Sequence, residues 1–348
     1  MTTTPALAVP SAGAPFATTT VERRDLGPDD VSIDIAYAGI CHSDIHTVRE
    51  EWGSVPFPLT PGHEIAGTVA AVGHAVTGFA VGDRVGVGCM VNSCGDCAQC
   101  RDGHENFCER KTVWTYGDTD VDGTVTQGGY SRNIVVNEGF VLRIPGSIGL
   151  DVAAPLLCAG ITVYTPLKRW GAKPGAKVAV VGMGGLGHMG VKIAAALGAE
   201  VTVLSQGLSK QEDGRRFGAS DYRATSDAST FGDLRGAFDL VLSTVSADLD
   251  LGAYLSTVKP FGAFVTVGLP PNPQPLPFFA ITGGDKVVAG SNIGGIALTQ
   301  EMLDFCAEHD IAAQIETIGA DQVDEAYDRV VKSDVRYRFV IDTATIGG

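Results

Sequence analysis

The sequence has few basic residues and no long, uninterrupted apolar run. Lysine and arginine together number 25 against 40 acidic residues, which gives a formal net charge of −15. This balance argues against nucleic acid or an anionic membrane as a partner, because both attract basic proteins. The most apolar stretch, 178–199, is interrupted by glycines, His188 and Lys192. It therefore does not predict a membrane-spanning helix.

The sequence also lacks the basic start, apolar segment and cleavage site of a secretory signal, so we expect a cytoplasmic protein. With 348 residues, 45% of them hydrophobic, the chain is long enough for two domains. No internal repeat is present. The first twenty residues are rich in Ala, Thr and Pro, and we expect them to be partly frayed. Two of the eight cysteines, Cys89 and Cys306, are expected to be reduced and buried.

Four further cysteines lie close together in the segment 94–108. They are Cys94, Cys97, Cys100 and Cys108. Two-residue gaps allow neighbouring thiolates to turn back onto one ion, and Gly95 and Gly103 permit the tight backbone that this requires. The pattern predicts a closed, tetrahedral zinc site that stabilises the fold and performs no chemistry. A disulfide pair is the alternative, and it fits poorly with a chain that has no secretory signal.

A second group of soft ligands is spread along the chain. Cys41, His63 and Cys158 would supply two thiolates and one imidazole, which leaves a fourth position on zinc for water or substrate. Such an open site is the catalytic type. The spacing alone is weak evidence, because a single Cys or His is more often a buried packing residue. The motifs around these residues change that judgement.

These motifs follow one another in an order that is found in a known family. They are GICHSDIH (39–46), PGHEIAG (61–67), the four-cysteine loop (94–108), APLLCAGIT (154–162), GMGGLGHMG (182–190) and DVRYRFV (334–340). From about Val21 to about Asp342 the chain resembles zinc-dependent medium-chain alcohol dehydrogenases. More narrowly, it resembles the cinnamyl alcohol dehydrogenase branch and its bacterial NADP-dependent relatives. The resemblance implies two zinc ions per chain, NADP(H) and a homodimer.

The hydrophobic pattern and the resemblance predict the same α/β fold. Short β-rich runs split by Gly and Pro predict an irregular β-barrel at residues 31–36, 65–72, 84–88 and 134–136. Alternating strands and helices then predict a doubly wound parallel sheet, with strands at 177–181, 201–204, 239–244, 264–267 and 287–290. A helix near 299–308 and the strand VRYRFVID would rejoin the first domain. The resemblance implies a GroES-like catalytic domain (1–155 and 297–348) and a Rossmann NADP-binding domain (156–296).

The nucleotide site is predicted from the glycine-rich segment 182–187. It follows an apolar strand and opens a helix, as a dinucleotide-binding fingerprint requires. Gly182 permits the tight turn, Gly184 lets the pyrophosphate approach the backbone, and Gly187 lets helix and strand pack closely. Free N–H groups at the helix start would face the phosphates.

The end of the second strand indicates which nucleotide binds. A site for NAD has an Asp or Glu there for the ribose hydroxyls, whereas this chain has Ser205, Gln206 and then Lys210. A hydroxyl and an ammonium suit the 2′-phosphate of NADP. Lys210 as a merely solvated helix residue is the alternative. The resemblance implies further cofactor contacts at His42, Thr162, Gly185, Leu186, Thr244, Ser291 and Asn292.

The resemblance also assigns roles around the second group of ligands. Zinc there would polarise an alcohol or aldehyde oxygen for hydride exchange with the nicotinamide. Ser43 and His46 match the family's proton relay, and imidazole titrates near neutral pH. Asp44 would accept a hydrogen bond from His63 and fix its tautomer, or else cap the loop. Glu64 would approach the zinc when no substrate is present. His46 as an ordinary surface residue is the alternative.

The substrate is only coarsely predicted. Trp114 stands where a tryptophan lines the pocket of cinnamyl alcohol dehydrogenases, and Trp52 is a second candidate, although aromatic residues are more often part of a core. An aromatic pocket favours aromatic or medium-chain primary alcohols and aldehydes. Two other classes are weighed: a catalytically inactive zinc protein on this fold, and a zinc-free quinone or enoyl reductase. Both lack ligands that this sequence has.

Overall fold

The computed structural model describes residues 1–347, which form two compact units. The first unit contains residues 1–158 and 294–347, and the second contains residues 159–293. The sequence predicts domain boundaries at 155/156 and 296/297. These boundaries stay a prediction of where the separately folding parts of the chain begin and end.

The elements of the first unit are short strands joined by long loops, as the frequent glycines and prolines predict. In its first segment they are β1 (Thr2–Ala8), β2 (Ala17–Arg23), β3 (Asp30–Gly39), α1 (His42–Val48), β4 (Ile65–Val72), β5 (Arg84–Val87), β6 (Met90–Asn92), α2 (Ala98–Arg101), β7 (Val113–Trp114), β8 (Asn133–Asn137), β9 (Leu142–Arg143) and α3 (Leu150–Ala153).

The second unit alternates strands and helices. Its elements are α4 (Ala159–Arg169), β10 (Lys177–Val181), α5 (Gly185–Ala196), β11 (Glu200–Ser205), α6 (Gln211–Arg216), β12 (Asp221–Ala224), α7 (Thr230–Asp233), β13 (Phe238–Ser243), α8 (Leu251–Thr257), β14 (Val258–Thr266), α9 (Phe278–Thr282) and β15 (Val287–Gly290). The chain then re-enters the first unit with α10 (Ile296–Glu308), β16 (Ile315–Ile318), α11 (Val323–Val331) and β17 (Arg338–Asp342).

The sheet of the second unit is parallel, with strand order β12-β11-β10-β13-β14-β15. Counted from the first strand, this is the 3-2-1-4-5-6 order of a Rossmann fold, so the expected doubly wound sheet is confirmed. Valine and leucine side chains of β10, β11 and β13 are buried, as strands covered on both faces require.

The main sheet of the first unit has seven strands. Six follow the order β16-β17-β3-β4-β5-β9, and β8 pairs with β3. Strand β17 lies antiparallel to β3, so the predicted return of the VRYRFVID strand to the first part of the chain is confirmed. Its Phe339 and Ile341 pack in one apolar cluster with Leu7, Ile40 and Tyr130.

The N-terminal segment is ordered, and the expectation of fraying is wrong. Strands β1 and β2 form a seven-residue antiparallel ladder. Leu7 donates its N–H to the carbonyl of Tyr130 at 2.8 Å, and Val9 donates to Leu59 at 2.9 Å. Backbone hydrogen bonds and the buried Leu7 therefore anchor a segment whose composition alone suggested disorder.

Within residues 1–347, no single helix is long and apolar enough to cross a membrane. The consecutive helical segments Leu150–Leu157 and Ala159–Arg169 reach the required length and composition only as a pair. Most of their apolar side chains are buried inside the protein, as in the core helices of globular proteins.

Candidate functional site: two thiolate clusters and a nucleotide-binding edge

The four-cysteine loop folds into a single cluster, in which the ligand atoms lie within 4.8 Å of one another. These residues are Cys94, Cys97, Cys100 and Cys108. Gly95 and Gly103 have positive φ angles of 71° and 75°, which the tight turns of the loop require. Backbone N–H groups point at the sulfurs, for example from Cys100 to Cys97 at 3.4 Å. Amide donors of this kind stabilise thiolates, so the loop fits a closed metal site.

The second cluster brings together ligands from three distant segments, and all four of its members are buried. It consists of Cys41, His63, Glu64 and Cys158. The sulfurs of Cys41 and Cys158 are 3.8 Å apart, and His63 Nε2 lies 3.2 Å from the Cys158 sulfur. Two sulfurs bound to one tetrahedral zinc at about 2.3 Å lie about 3.8 Å apart. The donor set therefore fits zinc in both chemistry and spacing.

The local structure explains how these ligands meet. Cys41 lies directly before the first turn of α1, His63 lies two residues before β4, and Cys158 follows a buried 3₁₀ turn at Ala154–Leu157. The hydrogen bond with Cys158 lowers the pKa of Cys41 well below its usual value. One thiolate of the pair is thus favoured, and thiolate is the form that binds metal.

Glu64 forms a buried ion pair with Arg338, the first residue of β17. Burial raises the pKa of Glu64 to about 7, and the charge of Arg338 opposes that shift. The second carboxylate oxygen, Oε2, has no hydrogen-bond partner within residues 1–347. This unpaired buried oxygen lies in the same cluster as Cys41, His63 and Cys158, so it is available to bind a cation.

Asp44 lies behind His63 and is fully buried. Its Oδ1 is 3.0 Å from His63 Nδ1, and its Oδ2 accepts the backbone N–H of Cys41 at 2.9 Å. Because Nδ1 faces this carboxylate, Nε2 is left to face the sulfurs of the cluster. The ring of Tyr116 stacks on the imidazole of His63, with centroids 5.8 Å apart.

The two relay residues lie on α1. The hydroxyl of Ser43 is 3.6 Å from the sulfur of Cys41. His46, one turn further along, has its Nδ1 paired with the carboxylate of Glu51, and its ring stacks on Trp52 at 4.7 Å. His42 is close to His46, with ring centroids 5.0 Å apart.

In the second unit, the candidate cofactor residues lie at the carboxyl ends of parallel strands. Gly182 follows β10, Ser205 ends β11, Thr244 follows β13, and Ser291 follows β15. Nucleotides bind in the crevice at this edge of an open α/β sheet. Thr162 is buried in α4. Gln206 is exposed after β11, and Asn292 lies directly after Ser291.

The glycine-rich turn between β10 and α5 leaves space for a ligand. A Cβ placed on Gly187 would lie 2.1 Å from the carbonyl oxygen of Gly182, so no larger residue fits there. Gly184 faces open space. Lys210 donates its ammonium to the carbonyl of Met183 at 3.1 Å, which holds the charge beside the turn. The open space at Gly184 and the ammonium beside the turn fit the phosphates of a nucleotide.

Sequence reasoning missed Arg338 and Glu51. An arginine within an apolar strand is a signal for a buried partner, because unpaired arginines are almost never buried. Glu51 follows the relay histidine by five residues, which is not a helical contact spacing. Trp114 has a half-exposed ring on β7.

Comparisons with known proteins agree with this geometry. Residues 27–146 match the alcohol dehydrogenase GroES-like domain, and residues 185–308 match the zinc-binding dehydrogenase model. An NADP-dependent alcohol dehydrogenase C of Mycolicibacterium smegmatis is 59% identical, covering 99% of each chain. The chain belongs to the zinc-dependent medium-chain alcohol dehydrogenases, in their cinnamyl alcohol dehydrogenase branch. This confirms the resemblance and the GroES-like and Rossmann fold class.

Two solved structures of the branch are similar along almost the whole chain. A cinnamyl alcohol dehydrogenase from Sorghum bicolor has a TM-score of 0.96 at 44% identity, covering 99% of this chain and 98% of that one. The structure of CAD from Helicobacter pylori complexed with NADP(H) has a TM-score of 0.92 at 41% identity, covering 98% of each chain.

Proposed function

We propose that the protein catalyses the zinc- and NADP-dependent, reversible oxidation of primary alcohols to aldehydes. The observation that carries this proposal is the buried cluster of Cys41, His63 and Cys158, with sulfurs 3.8 Å apart. Two thiolates and an imidazole are the ligand set of a catalytic zinc with an open position. The separate four-cysteine cluster is the matching structural site.

The residues of the chain bind, orient and move protons around this centre. Cys41, His63 and Cys158 would hold the zinc, which would supply a Lewis acid for the alcohol or aldehyde oxygen, and NADP(H) would supply the hydride chemistry. Asp44 holds His63 so that Nε2 faces the ligand cluster. Ser43, 3.6 Å from the Cys41 sulfur, would accept the proton released from the substrate hydroxyl as it passes its own proton, by way of the nicotinamide ribose, toward His46. His46 receives it further along α1, and Glu51 balances the charge on the imidazole.

The preference for NADP rests on the segment between β11 and α6. A carboxylate at this point would repel a 2′-phosphate, and the segment 205–210 has none. Lys210 supplies a cation beside the glycine-rich turn. His42, Thr162, Gly185, Leu186, Thr244, Ser291 and Asn292 are proposed as further cofactor contacts.

The proposed substrate is an aromatic or medium-chain alcohol or aldehyde, and Trp114 and Trp52 line the pocket that receives it.

We take reduction of aldehydes to be the usual direction, because the NADP pool of cells is generally kept reduced. We place the enzyme in the cytoplasm, where its cysteines, none of which forms a disulfide, stay reduced and available as zinc ligands.

We also propose a homodimer formed through the edge of the second unit's sheet. Strand β15 is the edge strand, and its Val287 and Val288 are 37% and 36% exposed. Phe278 and Phe279 of the preceding α9 are 72% and 94% exposed. An apolar edge strand beside two exposed aromatic rings favours pairing with a second chain.

One assay tests class, cofactor and substrate together. Purified enzyme would be given a panel of alcohols and aldehydes with NADPH and with NADH, and its zinc content measured. We expect two zinc ions per chain and aldehyde reduction with NADPH. One zinc without turnover would favour the inactive zinc protein, and no zinc with quinone reduction would favour the reductase alternative.

A further inference from the structure

Two buried tyrosines form a chain of hydrogen bonds that ends on Asp44, the carboxylate that orients His63. The hydroxyl of Tyr130 donates to Oδ2 of Asp44 at 3.2 Å, and the hydroxyl of Tyr327 donates to that of Tyr130 at 3.3 Å. Asp44 and Tyr130 have no exposed surface. Water therefore cannot replace the tyrosine as a donor to this oxygen.

Tyr130 also contacts the turn that precedes His63, through a backbone hydrogen bond and through its ring. Its N–H donates to the carbonyl of Pro61 at 2.9 Å, and Gly129 donates to Gly62 at 2.9 Å. The phenol ring packs against Gly62, where a Cβ would be 2.5 Å from ring carbon Cδ1. Gly62 has φ 106°, which only glycine adopts without strain. One residue thus contacts both the backbone before His63 and the carboxylate behind it.

We propose that Tyr130 is a positioning residue for the catalytic zinc, holding Asp44 and the 61–63 turn so that His63 presents Nε2 to the metal in one orientation. The inference rests on the proposed catalytic role of the second cluster. It concerns orientation, and Tyr130 touches neither substrate nor metal.

The chemistry of the hydrogen bonds supports this role. Burial raises the pKa of Tyr130 well above its usual value, and the neighbouring Asp44 raises it further. The phenol therefore keeps its proton and acts as a donor. Without it, Oδ2 of a fully buried carboxylate would lose one of its donors, which is costly where solvent is excluded. Replacing the hydrogen-bond partner of a metal-binding histidine typically costs about 10–100-fold in metal affinity or activity. Tyr130 acts on His63 through such a partner, Asp44.

Replacing Tyr130 with Phe tests the inference, because the ring that packs on Gly62 is retained and only the hydroxyl is lost. Tyr327→Phe is the matched control. It removes a hydroxyl from the same chain of hydrogen bonds but leaves the hydrogen bond between Tyr130 and Asp44 in place. Zinc transfer to an excess of a chromogenic chelator would be followed on both variants and the wild type. The structural zinc is an internal reference in each trace.

For Tyr130→Phe we expect about tenfold faster loss of the catalytic zinc and an unchanged structural phase. The d–d absorption of a cobalt(II)-substituted catalytic site should also shift, and kcat should fall with little change in the KM for NADPH. Tyr327→Phe should stay within about twofold of the wild type. In an Asp44→Asn background, Tyr130→Phe should cause no further increase in zinc loss, because the carboxylate through which Tyr130 acts on His63 is already absent.

Wild-type zinc loss and an unchanged cobalt spectrum in Tyr130→Phe would overturn the inference. So would equal acceleration of both zinc phases together with a lower Tm, which would mean a general packing role. Failure of the proposed function is distinguishable from either result. An enzyme with no alcohol or aldehyde activity would refute the function, while the zinc-loss and cobalt measurements would still decide the role of Tyr130.

Discussion

Cys158 and Cys100 are both buried thiols in four-residue clusters, yet their surroundings differ. Cys100 belongs to a loop whose other ligands are local, so its metal holds that loop together. Cys158 is joined in its cluster by ligands from two distant segments and by a carboxylate that already has an arginine partner. The two cysteines are therefore expected to fail differently when replaced.

Cys158→Ser should leave a folded protein that retains one zinc and loses turnover by at least about 100-fold. Cys100→Ser should instead lower the free energy of unfolding by more than about 2 kcal/mol, because the closed site contributes to folding. Zinc analysis, kcat and thermal unfolding of both variants check this. Near-normal turnover in Cys158→Ser would contradict the catalytic assignment.

Ser43→Ala should lower kcat by about 100-fold while NADPH binding stays nearly unchanged, because proton transfer is lost and cofactor contact is not. Ser43→Thr keeps a hydroxyl and is the matched control. His46→Ala should be milder, with partial recovery at high pH where solvent base replaces the imidazole. The measurement is the pH–rate profile of each variant, and an unaltered profile in His46→Ala would remove that residue from the relay.

Which site residues the sequence reveals depends on how local their signals are. Cys41, His63 and Cys158 stand in recognisable motifs, so the cluster could be predicted. Arg338 and Tyr130 act through partners 274 and 86 residues away in the chain. Neither spacing nor composition predicts such pairs without the tertiary structure.

At the scale of elements, the turn from β11 into α6 is the segment that we propose selects the nucleotide. A charge-assisted contact contributes about 1.5–3 kcal/mol. Since about 1.4 kcal/mol corresponds to tenfold, we expect Lys210 alone to contribute about 10–100-fold to the preference for NADPH over NADH. Ser205→Asp should shift the preference toward NADH, and Ser205→Asp with Lys210→Ala should invert it.

The measurement is kcat/KM for each cofactor with one saturating aldehyde. Lys168→Ala provides a control in which a lysine of the same unit is removed from the end of α4. A wild-type enzyme that favours NADH would mean that Ser205 and Lys210 do not form a phosphate site.

The strands of the second unit could be predicted to within a few residues, because runs such as Val178–Val181 are apolar and bounded by glycine. Strand β12 was missed, since Asp221–Ala224 is short and mostly polar. Strands β1 and β2 were missed because the Ala and Pro residues, which are depleted in strands, obscured the strand-favouring Thr residues. Their pairing with each other and the contact with Tyr130 are tertiary effects that local composition does not contain.

For the whole molecule, we expect a dimer in solution. Phe279→Asp with Val288→Asp should shift the mass measured by light scattering toward that of one chain, because charges would be desolvated at the contact. Val121→Asp, which alters a 73% exposed valine in the first unit, is the control and should leave the mass unchanged. A wild-type protein that is already monomeric would refute the interface.

The ion pair between Glu64 and Arg338 joins two residues that are synthesised far apart in time. Ribosomes add about 5–20 residues per second, so roughly 14–55 s separate the two residues, which are 274 positions apart. Cys41, His63 and Cys158 are all translated well before the arginine. Until the final strand is translated, a nascent chain therefore contains all three ligand residues but lacks the arginine partner of Glu64. Ribosome-bound chains halted before β17 would thus differ from the finished enzyme in how they take up metal, although no ligand is missing.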